Sequence, residues 1–179
     1  MPIFPMMLAA TMNQGLLKPQ AQDVQKIVES RLPSLGHRNW IVVADSAYPL
    51  QTAPGIETVT VNVSQEAAVK GVLEALGKAK HVRPNIYIDK ELDFVNEKFA
   101  PGIGKYRTDL GSILKGKTAK KELHEKIIGM LDEAGKTFKV LLIKTPHIQP
   151  YTSVFFQLEC GYWSDEAEKD LRDRMKGGG

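Results

Sequence analysis

Trp40-Ile41-Val42-Val43-Ala44 is an unbroken apolar run closed by Asp45. A run without polar alternation points to a strand buried on both faces, the habit of a parallel sheet covered by helices. Upstream, Gln20 to Leu35 places Val24, Ile27, Val28, Leu32 and Leu35 on one helical stripe, and Pro33 with Gly36 ends it. Downstream, Val59, Val61 and Val63 alternate with polar residues in Glu57 to Val63, which predicts a second strand. Ser64 is a good N-cap for a helix through Ala75.

Further strands are expected at Pro84 to Ile88, Phe138 to Ile143 and Ser153 to Leu158, with a polar helix from about Lys90. Ala100 to Lys117, rich in Gly and Lys, reads as a surface excursion. Thr118 is placed to cap a helix to Ala134, with Leu123, Ile127, Met130, Leu131 and Ala134 facing inward, and Ser164 to open a charged C-terminal helix. Strands alternating with helices predict an α/β three-layer sandwich with a largely parallel central sheet. We expect an N-terminal arm over 1–18, a single domain over 19–176 and a disordered tail over 177–179. Sites in such folds form beyond the carboxyl ends of the strands, where Asp45 lies.

The chain of 179 residues is 42% hydrophobic, enough for one sizeable core. A formal net charge of +3, with bases and acids interleaved, gives no support to nucleic-acid binding. No stretch reaches the ~20 apolar residues of a membrane span, so no membrane role is expected. The single cysteine, Cys160, reads as a small buried hydrophobe and fits a reducing, cytoplasmic setting. The opening Met1 to Asn13 lacks a basic n-region and reads as an arm packing on the domain or on a neighbouring subunit, with a degenerate export signal as the alternative. Zinc-ligand spacing, GxSxG, HExxH and GxGxxG are all absent, and APGIGK over Ala100 to Lys105 lacks phosphate-loop spacing.

The remaining candidates flank the strands. Gly36-His37 precedes the first buried strand and Asp45 follows it. Eight extended residues span roughly 26 Å, so either the flanks fold back or the pair is completed across a subunit interface. Pro150-Tyr151-Thr152-Ser153 leads into the last main strand and presents hydroxyls.

Leu35-Gly36-His37, then Ile41-Val-Val-Ala-Asp45-Ser-Ala-Tyr-Pro49, resembles the N-terminal signature of the D-ribose pyranase / L-fucose mutarotase family. Val140-Leu-Leu-Ile143-Lys-Thr followed by Pro150-Tyr151-Thr-Ser153-Val-Phe-Phe resembles the closing strand, Tyr-x-Asn loop and final strand of that family. The resemblance runs from about Val24 to Gly161. It implies a cofactor-free subunit of a homo-oligomeric ring, pentameric or decameric, with a monosaccharide site between neighbours. His37, Asp45 and Tyr151 match its functional positions, and Ser153 stands where the family has Asn. The family's His at the start of the helix before the penultimate strand has His124 as its nearest candidate, which falls inside the predicted helix here. His147 and Tyr48 are placed to line the same pocket. The implied chemistry is acid/base-assisted opening and closing of a free aldose ring, which needs no cofactor or metal. The alternatives are a sugar-binding or regulatory relative without catalysis, and a purely structural ring protein.

Overall fold

The computed structural model describes residues 21–177. The expected arm over 1–18 and the last two residues lie outside the described residues. Six strands form one sheet in the order β2-β5-β1-β6-β3-β4. They are β1 (Trp40–Ala44), β2 (Ile56–Thr60), β3 (Val82–Asp89), β4 (Ala119–Glu122), β5 (Val140–Lys144) and β6 (Val154–Cys160). Helices α1 (Ala21–Arg31), α2 (Gln65–Lys78), α3 (Ile103–Ile113), α4 (His124–Thr137) and α5 (Asp165–Gly177) accompany them. β1 pairs parallel with β5 and β5 with β2, β3 pairs parallel with β4, and β6 is antiparallel to both β1 and β3. All strands except β6 therefore share one direction, as a largely parallel sheet requires.

The apolar run at β1 is buried on both faces, as its composition demands. Ile41 and Val43 enter a core shared with α1, α2 and α3, whereas Trp40, Val42 and Ala44 enter a second core under α4. β5 divides likewise, with Leu141 and Ile143 on one side and Val140 and Leu142 on the other. The sheet is the middle layer of three. Ser64 caps α2, its Oγ accepting from the Ala67 N–H at 3.2 Å. Among the described residues no helix is long and apolar enough to cross a membrane.

Several expectations are corrected. The segment read as a surface excursion contains α3, which buries Ile103, Tyr106 and Leu110. Their spacing of three and four residues is a helical stripe that the surrounding Gly and Lys residues obscure. The expected helix from Thr118 is split in two. Ala119–Glu122 is an edge strand, and α4 starts only at His124. The Ala-Lys-Lys-Glu stretch has no strand pattern of its own. Parallel pairing of Ile86 to Asp89 with Ala119 to Glu122 imposes the conformation, and two lysines suit an exposed sheet edge. Leu123, expected inside, is exposed. The polar helix after Lys90 is a 3-10 segment ending at Phe94. β2 stops at Thr60, although Val61 and Val63 still reach the core. Cys160 is half-buried rather than buried, and Gly177, expected in the tail, is the last residue of α5.

Candidate functional site

Because all strands but β6 run one way, the topology gathers certain residues along one edge of the sheet. Asp45 follows β1, Asp89 ends β3, His124 follows β4, Thr145 follows β5, and Tyr151 precedes the antiparallel β6. Asp45, Tyr48, Gln51, His124, Ile128 and Tyr151 line a cleft of about 310 Å³ there, together with neighbouring prolines. That volume lies at the lower end of small-molecule pockets.

Asp45 Oδ1 accepts the Ala47 N–H at 2.8 Å, closing a turn that carries Tyr48. Tyr48 is buried, and burial together with the nearby Asp132 and Asp89 carboxylates pushes its phenol up to about 12. It therefore stays protonated as a donor at neutral pH.

His124 is the first residue of α4, and the Leu123 N-cap has no side-chain acceptor. Glu91 supplies one, its carboxylate accepting the His124 N–H with both oxygens at 3.1 Å. This fixes where the helix begins. The His124 ring meets Tyr151 edge-on, with centroids 5.6 Å apart, and its Nδ1 lies 3.1 Å from Asp89 Oδ1. Burial raises the Asp89 carboxyl to about 6, against the opposing pull of His124.

Tyr151 has φ +57°, an unfavourable left-handed conformation for a side chain of this size, and is 39% exposed at the cleft mouth. Its neighbours hold it there. The Thr152 carbonyl accepts from Tyr106 Oη at 2.6 Å and from Gln65 Nε2 at 2.9 Å. Thr145 Oγ1 donates to Gln65 Oε1 at 2.6 Å, and Gln65 Nε2 also reaches the Val43 carbonyl at 3.2 Å. The fully buried Gln65 thus ties both ends of the Thr145 to Ser153 loop to β1.

The sequence candidates separate into four groups. Asp45, Tyr48, His124 and Tyr151 share the cleft. His147 sits in the same loop but faces another cavity of about 590 Å³, with Tyr106, Lys105 and Glu66 among its lining. Its ring packs on Tyr106 at 5.1 Å, and burial lowers its pKa. Ser153 is buried and does not line the cleft. His37 lies in an exposed turn at the amino end of β1, on the opposite edge of the sheet from Asp45. One chain therefore does not bring that pair together.

Sequence reasoning missed Asp89, Glu91 and Gln65. Only Gln65 left a signal. It falls on the same face of α2 as Ala68, Val69 and Val72, a polar residue heading an apolar stripe.

No family model matches the sequence, and no curated protein matches it. Solved structures do match the fold. RbsD from Bacillus subtilis, solved with D-ribose, superposes with a TM-score of 0.51 at 18% identity, covering 74% of this chain and 91% of RbsD. This chain has the RbsD fold. The fucose mutarotase from Streptococcus pneumoniae, solved with L-fucose, gives a TM-score of 0.51 at 16% identity, with 80% of this chain and 98% of that one covered. FucU from Bifidobacterium longum gives 0.51 at 12% identity, with 80% and 97% covered. The RbsD fold, with its six-stranded mixed sheet between helices, is what the resemblance implied. His124 is the first residue of α4, whereas the sequence pattern predicts a place inside a helix.

Proposed function

We propose that this chain is a cofactor-independent monosaccharide mutarotase or pyranase, working in the cleft between Asp45, His124 and Tyr151. The observation that carries the reading is the meeting of these three side chains, which come from distant parts of the sequence, in one small cleft of the RbsD fold. A base takes the proton of the anomeric hydroxyl as the bond from the anomeric carbon to the ring oxygen breaks. An acid then protonates the ring oxygen, leaving the open aldehyde. Closure on the other carbonyl face, or through a different hydroxyl, reverses these transfers and gives the other anomer or ring size. His124 suits the proton shuttle, since a neutral imidazole carries one donor and one acceptor nitrogen. Asp45 and the Tyr48 phenol hold sugar hydroxyls, and the Tyr151 ring covers the mouth.

His37 enters this reading through assembly. In a pentameric or decameric ring, a neighbour's exposed amino edge supplies His37 to the cleft. Native mass spectrometry tests the ring, and a strictly monomeric protein would remove His37 from the mechanism.

The activity is tested by NMR exchange spectroscopy on a panel of free aldoses that includes D-ribose and L-fucose. The wild-type protein should accelerate anomer or ring-form exchange, and His124→Ala should lower the rate by about 10²-fold or more. No acceleration for any sugar sinks the reading. Saturable binding of a sugar without acceleration would replace it with a sugar-binding role, a reading that the withdrawal of Ser153 from the cleft favours.

A further inference from the structure

Asp89 is 1% exposed at the end of β3, yet the fold gives its carboxylate little structural work. It occupies the N-cap position of the Lys90–Phe94 3-10 segment but makes no capping bond with its side chain. Oδ2 is buried and has no partner among the described residues. The hydrogen bond that Oδ1 makes is to the His124 ring, 3.1 Å away. A buried carboxylate left half-satisfied costs stability, and packing does not explain its presence.

His124 shows the complementary pattern. Its backbone N–H is held by Glu91 and its Nδ1 by Asp89. Its Nε2 makes no hydrogen bond among the described residues, and the ring lines the cleft. An imidazole that donates Nδ1–H to a carboxylate keeps its lone pair on Nε2, because a neutral ring carries one proton.

We propose that Asp89 is a positioning residue of the cleft, holding His124 as the Nδ1–H tautomer so that Nε2 presents its lone pair to the ligand. This rests on the reading of the cleft as a site of ring-form exchange. Around the carboxylate stand His124 of α4, Glu91 of the 3-10 segment, and Asp45 and Tyr48 from the loop after β1. Glu91 and Asp45 are acids that disfavour ionisation of Asp89, and His124 opposes them. Protonation of Asp89 would let it donate to Nδ1 and transfer the tautomer's proton to Nε2, so the device works only on the alkaline side of that titration.

The test has two parts. In the first, long-range proton–nitrogen NMR of the uniformly labelled wild-type chain at pH 8 reads the His124 tautomer. The chain has only four histidines, so His124→Gln suffices to assign the signal. We expect protonated Nδ1 and unprotonated Nε2, and the reverse tautomer in the wild-type protein overturns the proposal whether or not any sugar is turned over. In the second, Asp89→Asn is compared with wild type in exchange of D-ribose and L-fucose across pH 5 to 8. We expect kcat to fall about tenfold or more with KM little changed, and the acid limb of the pH profile to move. An Asp89→Asn profile superimposable on wild type overturns the proposal. If the wild-type protein exchanges neither sugar, the catalytic reading fails while the tautomer measurement still decides the role of Asp89.

Discussion

Among the described residues, each edge of the sheet carries one residue other than glycine at positive φ, and the two are used differently. At the amino edge Arg38 has φ +77° in an exposed turn, with its guanidinium 4.3 Å above the Phe138 ring. Its N–H donates to Leu158 O at 2.8 Å, and Asn39 Oδ1 accepts the Gly36 N–H at 2.7 Å. At the carboxyl edge Tyr151 has φ +57°, beside a buried carboxylate with an unpartnered oxygen and a histidine with a free nitrogen. One edge is closed by its own hydrogen bonds. The other holds polar groups still waiting for partners, which is where strain and unmet hydrogen bonds point to a ligand. Under the proposed function, the contrast favours the carboxyl edge as the site and leaves His37 a role only through a neighbouring subunit.

The comparison breaks most readily at Gln65. Replacing it with Leu keeps the volume approximately but removes the amide that joins Thr145, Val43 and Thr152. It leaves a buried hydroxyl and two carbonyls with fewer partners. We expect a loss of roughly 2–4 kcal/mol in urea unfolding, counting about 1–3 kcal/mol for each unsatisfied buried group and some relief from residual bonds. Tyr106 still reaches the Thr152 carbonyl, so the fold should persist. An unchanged unfolding midpoint would show that the loop carrying Tyr151 needs no such anchor.

A finer test uses the Asp89 carboxyl, raised by burial from an ordinary value near 4 to about 6. The folded state then holds that proton more tightly than the unfolded state. The contribution is fully present below the unfolded pKa and is lost as pH rises through about 6. A shift of this size corresponds to roughly 2–3 kcal/mol. Relative to Asp89→Asn, wild type should lose stability between about pH 4 and 6, and the difference should level off above that. A difference flat across this range would mean that Asp89 is not held in a desolvated place.

How much of this was legible follows from the range of the forces involved. β1 announced itself because burial on both faces needs only a local apolar run, and Ser64 announced α2 because capping is local. β4 was illegible. Its lysines adopt a strand through pairing with β3, and so the position of His124 at a helix start was hidden as well. α3 carried a readable stripe at Ile103, Tyr106 and Leu110, outweighed by the glycines and lysines around it. In the site, Asp45 and Tyr151 were reached through motif resemblance. Asp89 was not, since a carboxylate at the end of Ile-Tyr-Ile-Asp reads as an ordinary strand terminus until His124 arrives from 35 residues away.

The smallest effect divides the two edges most cleanly. Glycine adopts positive φ without the side-chain clash that costs other residues about 1 kcal/mol. Arg38→Gly gains that relief and loses a cation–π contact of about 0.5–1 kcal/mol at an exposed site, so its stability should change by less than about 0.5 kcal/mol. Tyr151→Gly gains the same backbone relief and loses a ring that is 39% exposed and packs edge-on against His124. Its stability should fall by roughly 1–2 kcal/mol, because burying most of the ring is worth about 2–3 kcal/mol against that relief. Sugar exchange should respond differently, surviving in the monomer-neutral Arg38→Gly and falling in Tyr151→Gly. Equal retention of exchange in both variants would remove the distinction, since Tyr151 would then be strained for reasons of folding alone.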